Sequence, residues 1–356
     1  MDGQKNFLIY GSTGYTGRLV VAEALRRGLR PVLAGRNVEK IGRQAAALGL
    51  EWRAFRLSDT RALERALVDT GLALLLAGPF GQTSRRVVEA CLRTGTHCLD
   101  INGELEVYEK LARYDSEARS KGVMLGTGMG FDVVPSDCLA RYLKNCLPTA
   151  NELRLAFISR GQARMSHGTL RSGLEELQHG MRVRRKGQLV QAQPGEKSMV
   201  VDFGWGPRSC DLMSWGDVVT AYYSSGFSDI EVYSPGSSSL QRQVAILSGG
   251  QRILGWGVMR SLARRMIGFL PDGATAEARA QTSAVIWGQA RDPSGCRVAA
   301  RLHTMEAYEL TARTAIQAVV KALAGEVKPG FQTPSMAFGA DFILEIEGVR
   351  REDIEP

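Results

Sequence analysis

Three glycines near the start of the chain have the spacing of a loop that binds a pyrophosphate. Gly11, Gly14 and Gly17 form the pattern G-x-x-G-x-x-G, a variant of the G-x-G-x-x-G pattern of dinucleotide-binding loops. Glycine lets the backbone approach a pyrophosphate without a Cβ in the way, and free N–H groups at the start of a helix hold the anion. The residues expected to contact the cofactor in this loop are Gly11, Ser12, Thr13, Gly14, Tyr15, Thr16 and Gly17.

The elements around these glycines are the ones that such a loop requires. Residues 6–10 form a short apolar run typical of a buried strand, and residues 17–28 place small and apolar side chains on one helical face. A second apolar run, 31–34, ends at Gly35. This order of strand, loop, helix and strand favours dinucleotide binding over the alternative that the glycines form only a structural turn.

The residue at the end of the second strand indicates which cofactor binds, because it faces the adenine ribose. An acidic residue there would bind the 2′-hydroxyl of NAD and repel a 2′-phosphate, but this chain has Arg36 followed by Asn37. A guanidinium pairs with a phosphate through two hydrogen bonds. We therefore predict NADP in preference to NAD. The alternative is that Arg36 is a solvated charge at a strand end.

Composition and charge limit the kinds of ligand and partner that we expect for this protein. The 356 residues suffice for two domains, and Lys plus Arg exceed Asp plus Glu by 45 to 37, a net charge of +8. This excess suits an anionic ligand such as NADP or a substrate bound to a carrier protein. The dense basic cluster at 182–186 contains no aromatic residues, so we expect no nucleic-acid partner.

The cysteines and the apolar runs indicate a cytoplasmic protein. The six cysteines include no C-x-x-C pair and no histidine at zinc spacing, so neither disulfides nor a bound metal are expected. Residues 1–5 are polar and are not typical of a signal peptide. No run of 18 uncharged apolar residues is found, so no membrane span is predicted.

The first part of the chain alternates predicted strands and helices. The strands are expected at 6–10, 31–34, 52–57, 72–77, 97–100 and 123–125. Further helices are expected at 60–69, 84–94, 104–119 and 136–145. This alternation predicts an α/β fold with a Rossmann-type doubly wound parallel sheet. Ligands of such sheets lie beyond the carboxyl ends of the strands, so residues 78–80, 100–104 and 130–132 should surround one crevice.

The second part of the chain has a different pattern. Its apolar residues alternate over longer segments with few helices between them, at 152–157, 198–203, 229–233, 284–290 and 296–302. This pattern predicts an α+β domain built on a mainly antiparallel sheet, which would bind substrate or form a homodimer. A helix is predicted at 305–323, and glycines and prolines punctuate a tail from Gly330 onward.

Residues 253–270 have the pattern of a basic amphipathic helix. Apolar residues recur every four positions, with arginines between them, at Leu254, Val258, Leu262, Met266 and Leu270. The stripe could pack on its own domain, as in most surface helices. It could also contact a membrane surface peripherally or bind a partner.

The chain resembles the saccharopine dehydrogenase-like oxidoreductases, particularly the branch with trans-acting enoyl reductases. The matching stretches are 10–17, 33–37, 77–80, 100–104, 130–137, 168–169, 215–217 with 221–222, 333–334 and 339–342. The chain departs from the family at Cys98 and Leu99, where an aromatic residue is frequent, and at Asn102, where Thr or Ser is usual. The resemblance implies that the C-terminal segment returns to the nucleotide domain. The expected domains are thus 1–135 with about 304–356, and 136–303.

A nicotinamide cofactor implies hydride transfer. The main hypothesis is reduction of a C=C or C=N bond of a small or carrier-bound metabolite by NADPH. The candidate catalytic residues are Asp132, Arg171 and Tyr222. Their alternative roles are a helix cap for Asp132, a surface charge for Arg171 and simple packing for Tyr222.

Further residues complete the predicted site. The cofactor is expected to contact Ser58, Ala77, Gly78, Pro79 and Phe80. The substrate-binding candidates are Asp100, Gly103, Glu104 and His167. No tyrosine has a lysine four residues later, which argues against the chemistry of short-chain dehydrogenases. A non-catalytic protein that binds NADP, or that docks on a membrane or partner, is the alternative function.

Overall fold

The structure is a computed structural model that describes residues 6–161, 164–176, 180–193, 195–235, 261 and 265–355. Most of the helix predicted at 253–270 lies outside the described residues. In the described part of the chain, no helix is long and apolar enough to cross a membrane.

The first sheet has seven parallel strands and contains all six strands predicted in the first part of the chain. They are β1 (Phe7–Tyr10), β2 (Val32–Gly35), β3 (Trp52–Ala54), β4 (Leu72–Leu75), β5 (His97–Asp100), β6 (Met124–Gly126) and β15 (Gly330–Gln332). Their order is β15-β6-β5-β4-β1-β2-β3, in which the order reverses at β1 as in a doubly wound fold. The predicted Rossmann-type sheet is confirmed, and β15 adds a seventh strand that the sequence pattern did not reveal.

The helices of this part of the chain differ from the prediction in three places, one of which is a helix at Val38–Leu48 that was not predicted. They are α1 (Tyr15–Arg26), α2 (Val38–Leu48), α3 (Thr60–Leu67), α4 (Phe80–Thr94), α5 (Leu105–Ala112), α6 (Asp115–Ser120) and α7 (Val134–Cys146). Helix α4 begins at Phe80, four residues before its predicted start. The single helix predicted at 104–119 is two helices, because the N–H of Tyr114 bonds to Leu111 O and closes α5 with a tighter turn.

The second sheet is mixed but mainly antiparallel, as predicted. Its strands are β7 (Glu152–Arg160), β8 (Arg182–Arg185), β9 (Gln188–Gln191), β10 (Ser198–Asp202), β11 (Pro207–Met213), β12 (Asp229–Ser234), β13 (Ser283–Arg291), β14 (Arg297–Met305) and β16 (Arg350–Ile354). The main path runs β10-β11-β12-β7-β13-β14-β16, with β8 beside β12 and β9 beside β8. Only the β12–β7 pair is parallel among the described pairings of this sheet.

The remaining helices are α8 (His167–Glu176), α9 (Asp217–Ser225), α10 (Ala276–Ala280), α11 (Ala307–Leu323) and α12 (Pro334–Phe338), with a 3₁₀ helix at Phe342–Glu345. The basic cluster at 182–186 is largely strand β8, and its charges are partly paired. Arg184 lies 2.8 Å from Glu109, and Arg182 lies 2.5 Å from Glu106. The cluster therefore joins the second sheet to α5.

The C-terminal segment contributes to both sheets. Helix α11 packs against α1, and β15 lies parallel to β6 in the first sheet. Strand β16 instead pairs with β14 in the second sheet. The division into domains 1–135 with 304–356, and 136–303, stays a prediction.

One apolar core extends across both sheets. Phe7 and Ile9 of β1 point into the same cluster of buried side chains as Leu155 and Ile286 of the second sheet. Leu8, on the opposite face of β1, belongs to a separate core under α3 and α4. The shared core holds the second sheet beside the first one.

Candidate cofactor site and active site

The first and third glycines of the loop are required by its own geometry. Gly11 has φ +101°, and a Cβ there would lie 3.0 Å from the backbone N of Ala77. A Cβ on Gly17 would lie 2.2 Å from the carbonyl O of Gly11. The first turn of α1 can therefore pack this closely on the loop only with glycine at both positions.

Gly14 has a different role, because the fold does not require glycine there. It is the N-cap of α1 with φ −69° and ψ 170°, and the nearest atom to an added Cβ would be Gly11 O at 3.4 Å. The absence of a side chain keeps the start of α1 open, and no acidic residue lies in the first turn of that helix. An open helix N-terminus without a carboxylate fits the pyrophosphate of a dinucleotide.

The end of β2 presents one unengaged cation. Arg36 is exposed, and in the described part of the chain no carboxylate pairs with it. The side chain of Asn37 accepts a hydrogen bond from Lys40 N at 2.9 Å as the N-cap of α2. The hydroxyl of Ser12 donates to Gln44 Oε1 at 2.9 Å, which ties α2 to the glycine loop. Ser58, just beyond β3, is exposed.

A segment from the second part of the chain covers Tyr15. The Tyr15 hydroxyl donates to Ala274 O at 2.6 Å and accepts from Arg279 Nη1 at 3.1 Å. A Cβ on Gly273 would lie 2.4 Å from the Tyr15 ring, so this glycine lets the segment press against the ring. The ring of Tyr308 packs edge-on on Tyr15 with a centroid distance of 4.9 Å. The glycine loop is therefore enclosed on the side of Tyr15.

Glu104 joins three segments at the mouth of the predicted crevice. Its Oε1 accepts hydrogen bonds from Phe80 N and from Ser172 Oγ, both at 2.7 Å, and its Oε2 accepts from Gly81 N at 2.7 Å. The negative charge of Glu104 thus stabilises the N-terminus of α4. Its hydrogen bond with Ser172 holds α8 over the turn at Gly78. As a substrate-binding candidate, Glu104 already has both carboxylate oxygens engaged.

Asp100 is buried at the carboxyl end of β5. Its Oδ1 accepts from Asn102 N at 2.9 Å, Thr127 Oγ1 at 2.8 Å and Gly128 N at 2.9 Å. Burial raises the pKa of Asp100 to about 6, although these hydrogen bonds oppose the shift. The carboxylate links the ends of β5 and β6, which places residues 100–104 and 130–132 side by side.

Asp132 is the carboxylate of this crevice whose oxygens are available to a ligand. A Cβ on Gly103 would lie 2.7 Å from Asp132 Oδ2, so the backbone of Gly103 borders the carboxylate. The N-cap of α7 is Val133, without a side-chain cap, so Asp132 is not a helix cap. Its side chain is partly exposed and accepts no hydrogen bond from the described residues. Burial raises the pKa of Asp132 to about 6.

Two other acids, both buried, lie near Asp132 and were not among the site residues predicted from the sequence. Asp137 accepts from Ser335 N at 2.7 Å, and Asp217 begins α9 with no exposed surface. Burial, together with the charges of Asp137 and Asp132, raises the pKa of Asp217 well above its ordinary value.

The candidates of the second part of the chain lie in different places. Arg171 is exposed on α8, next to Ser172. His167 Nε2 lies 2.7 Å from Leu270 O, and its backbone N–H donates to Asp272 Oδ1 at 2.9 Å. Tyr222 does not join the crevice group, because its ring lies 4.0 Å from the Arg184 guanidinium.

Tyr308 belongs to the crevice although sequence reasoning did not select it. Its hydroxyl accepts from Ser166 N at 2.7 Å and lies 2.8 Å from Thr169 Oγ1. Burial raises the pKa of Tyr308, and the Asp132 carboxylate acts in the same direction. The sequence around Tyr308 does not indicate a place in the crevice, because the residues that this tyrosine contacts lie far away in the chain.

Comparisons with known proteins agree with this geometry. Residues 7–125 match the family model described as the saccharopine dehydrogenase NADP binding domain. A mouse saccharopine dehydrogenase-like oxidoreductase is 28% identical over 160 residues, covering 39% of this chain and 37% of the relative. A probable mitochondrial saccharopine dehydrogenase-like oxidoreductase of Arabidopsis thaliana is 32% identical over 154 residues, covering 37% and 33%. A trans-acting enoyl reductase of Mycobacterium leprae is 31% identical over 140 residues, covering 37% and 34%.

One solved structure matches over nearly the whole chain. The apo saccharopine dehydrogenase (L-Glu forming) of Saccharomyces cerevisiae superposes with a TM-score of 0.64 at 13% identity, covering 99% of this chain and 100% of that one. At this identity the likeness concerns the fold alone.

Fold and glycine loop together define an NAD(P)-binding protein of the Rossmann type. Residues 7–125 of this protein are similar to the saccharopine dehydrogenase NADP binding domain. The matches span about a third of the length of the curated relatives.

Proposed function

We propose that the protein is an NADPH-dependent oxidoreductase that transfers a hydride to a C=C or C=N bond of a small or carrier-bound metabolite. The observation that supports this most is the position of Asp132. It is a partly exposed carboxylate with a pKa raised to about 6, beside Gly103 at the carboxyl ends of β5 and β6. An acid in this place can protonate the atom next to the one that receives the hydride.

The cofactor would be held by the loop residues 11–17 and by Arg36. The start of α1 would bind the pyrophosphate, and the unengaged guanidinium of Arg36 would bind the 2′-phosphate. Pro79 and Phe80, next to the start of α4, would border the nicotinamide half. When bound there, NADPH supplies the hydride of the reaction.

The side chains around Asp132 would position the substrate and limit water. The bond between Ser172 and Glu104 holds α8 over the mouth of the crevice. Arg171, exposed on the same helix, would bind a carboxylate or phosphate group of the substrate. Because Tyr222 packs on Arg184, we assign the proton donor to Asp132 rather than to Tyr222.

The experiment has a binding part and a turnover part. Calorimetry with NADPH tests the cofactor site, and the oxidation of NADPH is then followed with enoyl thioesters and cyclic imines as acceptors. We expect Asp132→Asn to retain NADPH affinity and to lose about 10²- to 10⁴-fold in turnover, the usual contribution of general acid catalysis. Unchanged turnover in this variant would exclude Asp132 as the proton donor.

The alternative is a non-catalytic NADP-binding protein that docks on a membrane or a partner. It is supported by exposed apolar side chains at the end of the predicted amphipathic helix, where Met266 is 62% and Phe269 is 81% exposed. NADPH binding without oxidation of any acceptor, combined with co-sedimentation with anionic liposomes, would favour this function. The expected homodimer is tested by light scattering during size-exclusion chromatography.

A further inference from the structure

A surface cavity of about 590 Å³, largely open to solvent, lies beside β15, the edge strand of the first sheet. This volume is within the range of small-molecule sites. The lining residues come from α6, α7, α9, α12 and the strand with its preceding loop: Arg119, Arg141, Tyr223, Ser224, Val327, Lys328, Pro329, Gln332 and Met336. Strands β6, β5 and β4 separate β15 from β1, a distance of about 19 Å at the usual strand spacing. The cavity is therefore separate from the glycine loop.

The charged side chains that line this cavity are all basic, and the carboxylates of Asp115 and Glu109 lie next to two of the lining residues, Arg119 and Tyr223. Arg119, Arg141 and Lys328 line it, and no acidic residue does. Arg119 is paired with Asp115 at 2.8 Å. Arg141 and Lys328 have no carboxylate partner among the residues that the structure describes. Two uncompensated positive charges therefore face one volume and repel each other, and an anion bound between them would relieve this repulsion.

Backbone carbonyls hold the two unpaired cations in place. Arg141 Nη1 donates to Ser224 O, and Lys328 Nζ donates to Met336 O at 2.8 Å. A guanidinium has five N–H donors and an ammonium has three, so each cation keeps donors for a ligand. Donors that are already oriented lose less conformational entropy when they bind.

The remaining wall of the cavity is largely apolar. Tyr223 is 37% exposed, and its ring packs against Phe331 with a centroid distance of 5.4 Å. Val327, Pro329 and Met336 extend this apolar part of the wall, and the polar residues Ser224 and Gln332 complete it. A matching ligand thus has an anionic end and an apolar or planar body.

We propose that this cavity is a second ligand site, which binds a small organic phosphate monoester with a planar apolar group. The phosphate would lie between Arg141 and Lys328, because a dianion matches two unpaired cations and a guanidinium binds phosphate oxygens in pairs. The planar group would lie against Tyr223. The site does not depend on the proposed oxidoreductase activity.

The test uses the full chain without cofactor and phenyl phosphate as the probe, titrated by calorimetry. We expect Arg141→Gln and Lys328→Gln each to weaken phenyl phosphate binding by about tenfold or more, as for the loss of a charged hydrogen bond. Arg86→Gln, which removes an exposed charge on α4 outside the cavity, is the matched control and should bind as the wild type does. Inorganic phosphate should bind more weakly than phenyl phosphate, because it lacks the planar group.

The proposed cofactor site would also bind a phosphate at Arg36, so Arg36→Gln is titrated in parallel. The proposal requires that this variant retains phenyl phosphate binding, whatever happens to its NADPH affinity. No binding by the wild type at millimolar probe, or equal binding by the wild type and Lys328→Gln, would overturn the second site. Since Lys328 is exposed, its variant should fold and decides the test even if Arg141→Gln is unstable.

Discussion

The ring of Tyr308 lies edge-on against the ring of Tyr15, with the two centroids 4.9 Å apart. Tyr15 begins the helix that follows the glycine loop, whereas Tyr308 begins α11 in the C-terminal segment. The Tyr308 hydroxyl also bonds to Ser166 and Thr169. One side chain therefore connects the predicted cofactor loop with the start of α8, the helix that covers the crevice.

Removing that hydroxyl should loosen α8 while leaving the rings packed. We expect Tyr308→Phe to lose about 1–3 kcal/mol of local stability, because the buried N–H of Ser166 loses its acceptor. Hydrogen exchange of the amides at 166–172 should become faster. Tyr114→Phe, which removes a hydroxyl bonded to Glu89, is the control. Equal exchange in both variants would contradict the role of Tyr308.

The exposed guanidinium at the end of β2 should select NADP. We expect Arg36→Ala to weaken NADPH binding by about 1–3 kcal/mol, the scale of a charged hydrogen bond, and to change NADH binding little. Arg43→Ala, an exposed arginine on α2, is the matched control. An equal loss for both cofactors in calorimetry would show that Arg36 does not contact the 2′-phosphate.

Two glycines of the loop should respond differently to substitution. Gly14→Val should abolish NADPH binding in a folded protein, because its backbone geometry suits any residue and the added side chain would occupy the pyrophosphate position. Gly17→Ala should instead lower the melting temperature, since its Cβ would lie 2.2 Å from Gly11 O. Circular dichroism and calorimetry separate the two effects. Wild-type NADPH affinity in Gly14→Val would mean that the loop does not bind the cofactor.

The carboxylates of the crevice that have raised pKa values should make stability depend on pH. Asp132 has a pKa raised from 3.8 to about 6, so between these values the folded protein binds more protons than the unfolded chain. The free energy of unfolding therefore falls as the pH rises from about 4 to 6. The Asp132→Asn variant has no carboxylate to ionise at this position. Its free energy of unfolding should therefore fall by up to about 3 kcal/mol less than that of the wild type over this pH range.

Urea unfolding at pH 4 and pH 7 measures this difference between Asp132→Asn and the wild type. Glu39→Gln, which alters an exposed carboxylate on α2, serves as the control and should keep the wild-type slope. The same slope in Asp132→Asn would show that Asp132 ionises normally in the folded protein. Asp100, also raised to about 6, accounts for part of the fall that remains.

The amide variant of Glu104 tests a structural role at the crevice mouth. We expect Glu104→Gln to destabilise the protein by about 1–3 kcal/mol, because an amide has only one oxygen to accept the three hydrogen bonds from Phe80, Gly81 and Ser172. Denaturant unfolding measures the loss. Glu89→Gln, on the same helix as Phe80, is the comparison. Full stability of Glu104→Gln would leave substrate binding as its main role.

Local sequence by itself determined six of the seven strands of the first sheet and the glycine loop. Strands β1 and β2, helix α1, the glycine spacing and Arg36 lie within one short stretch, where apolar periodicity and glycine geometry act between near neighbours. The alternating segments of the second part likewise indicated an antiparallel sheet. By contrast, β15 has three residues, too few to show a period, and β16 was hidden in a tail rich in glycine and proline.

Only the tertiary structure decided which side chains meet. The contacts of Gly103 with Asp132, Glu104 with Ser172 and Tyr15 with Tyr308 join segments that no periodic pattern relates. The tertiary structure also determines that the Tyr222 ring packs on Arg184 and not in the crevice. Side-chain partners from distant segments depend on how whole sheets and helices pack. The hydrophobic effect that drives this packing depends on the total apolar area buried. The local sequence therefore does not show which polar groups are brought together.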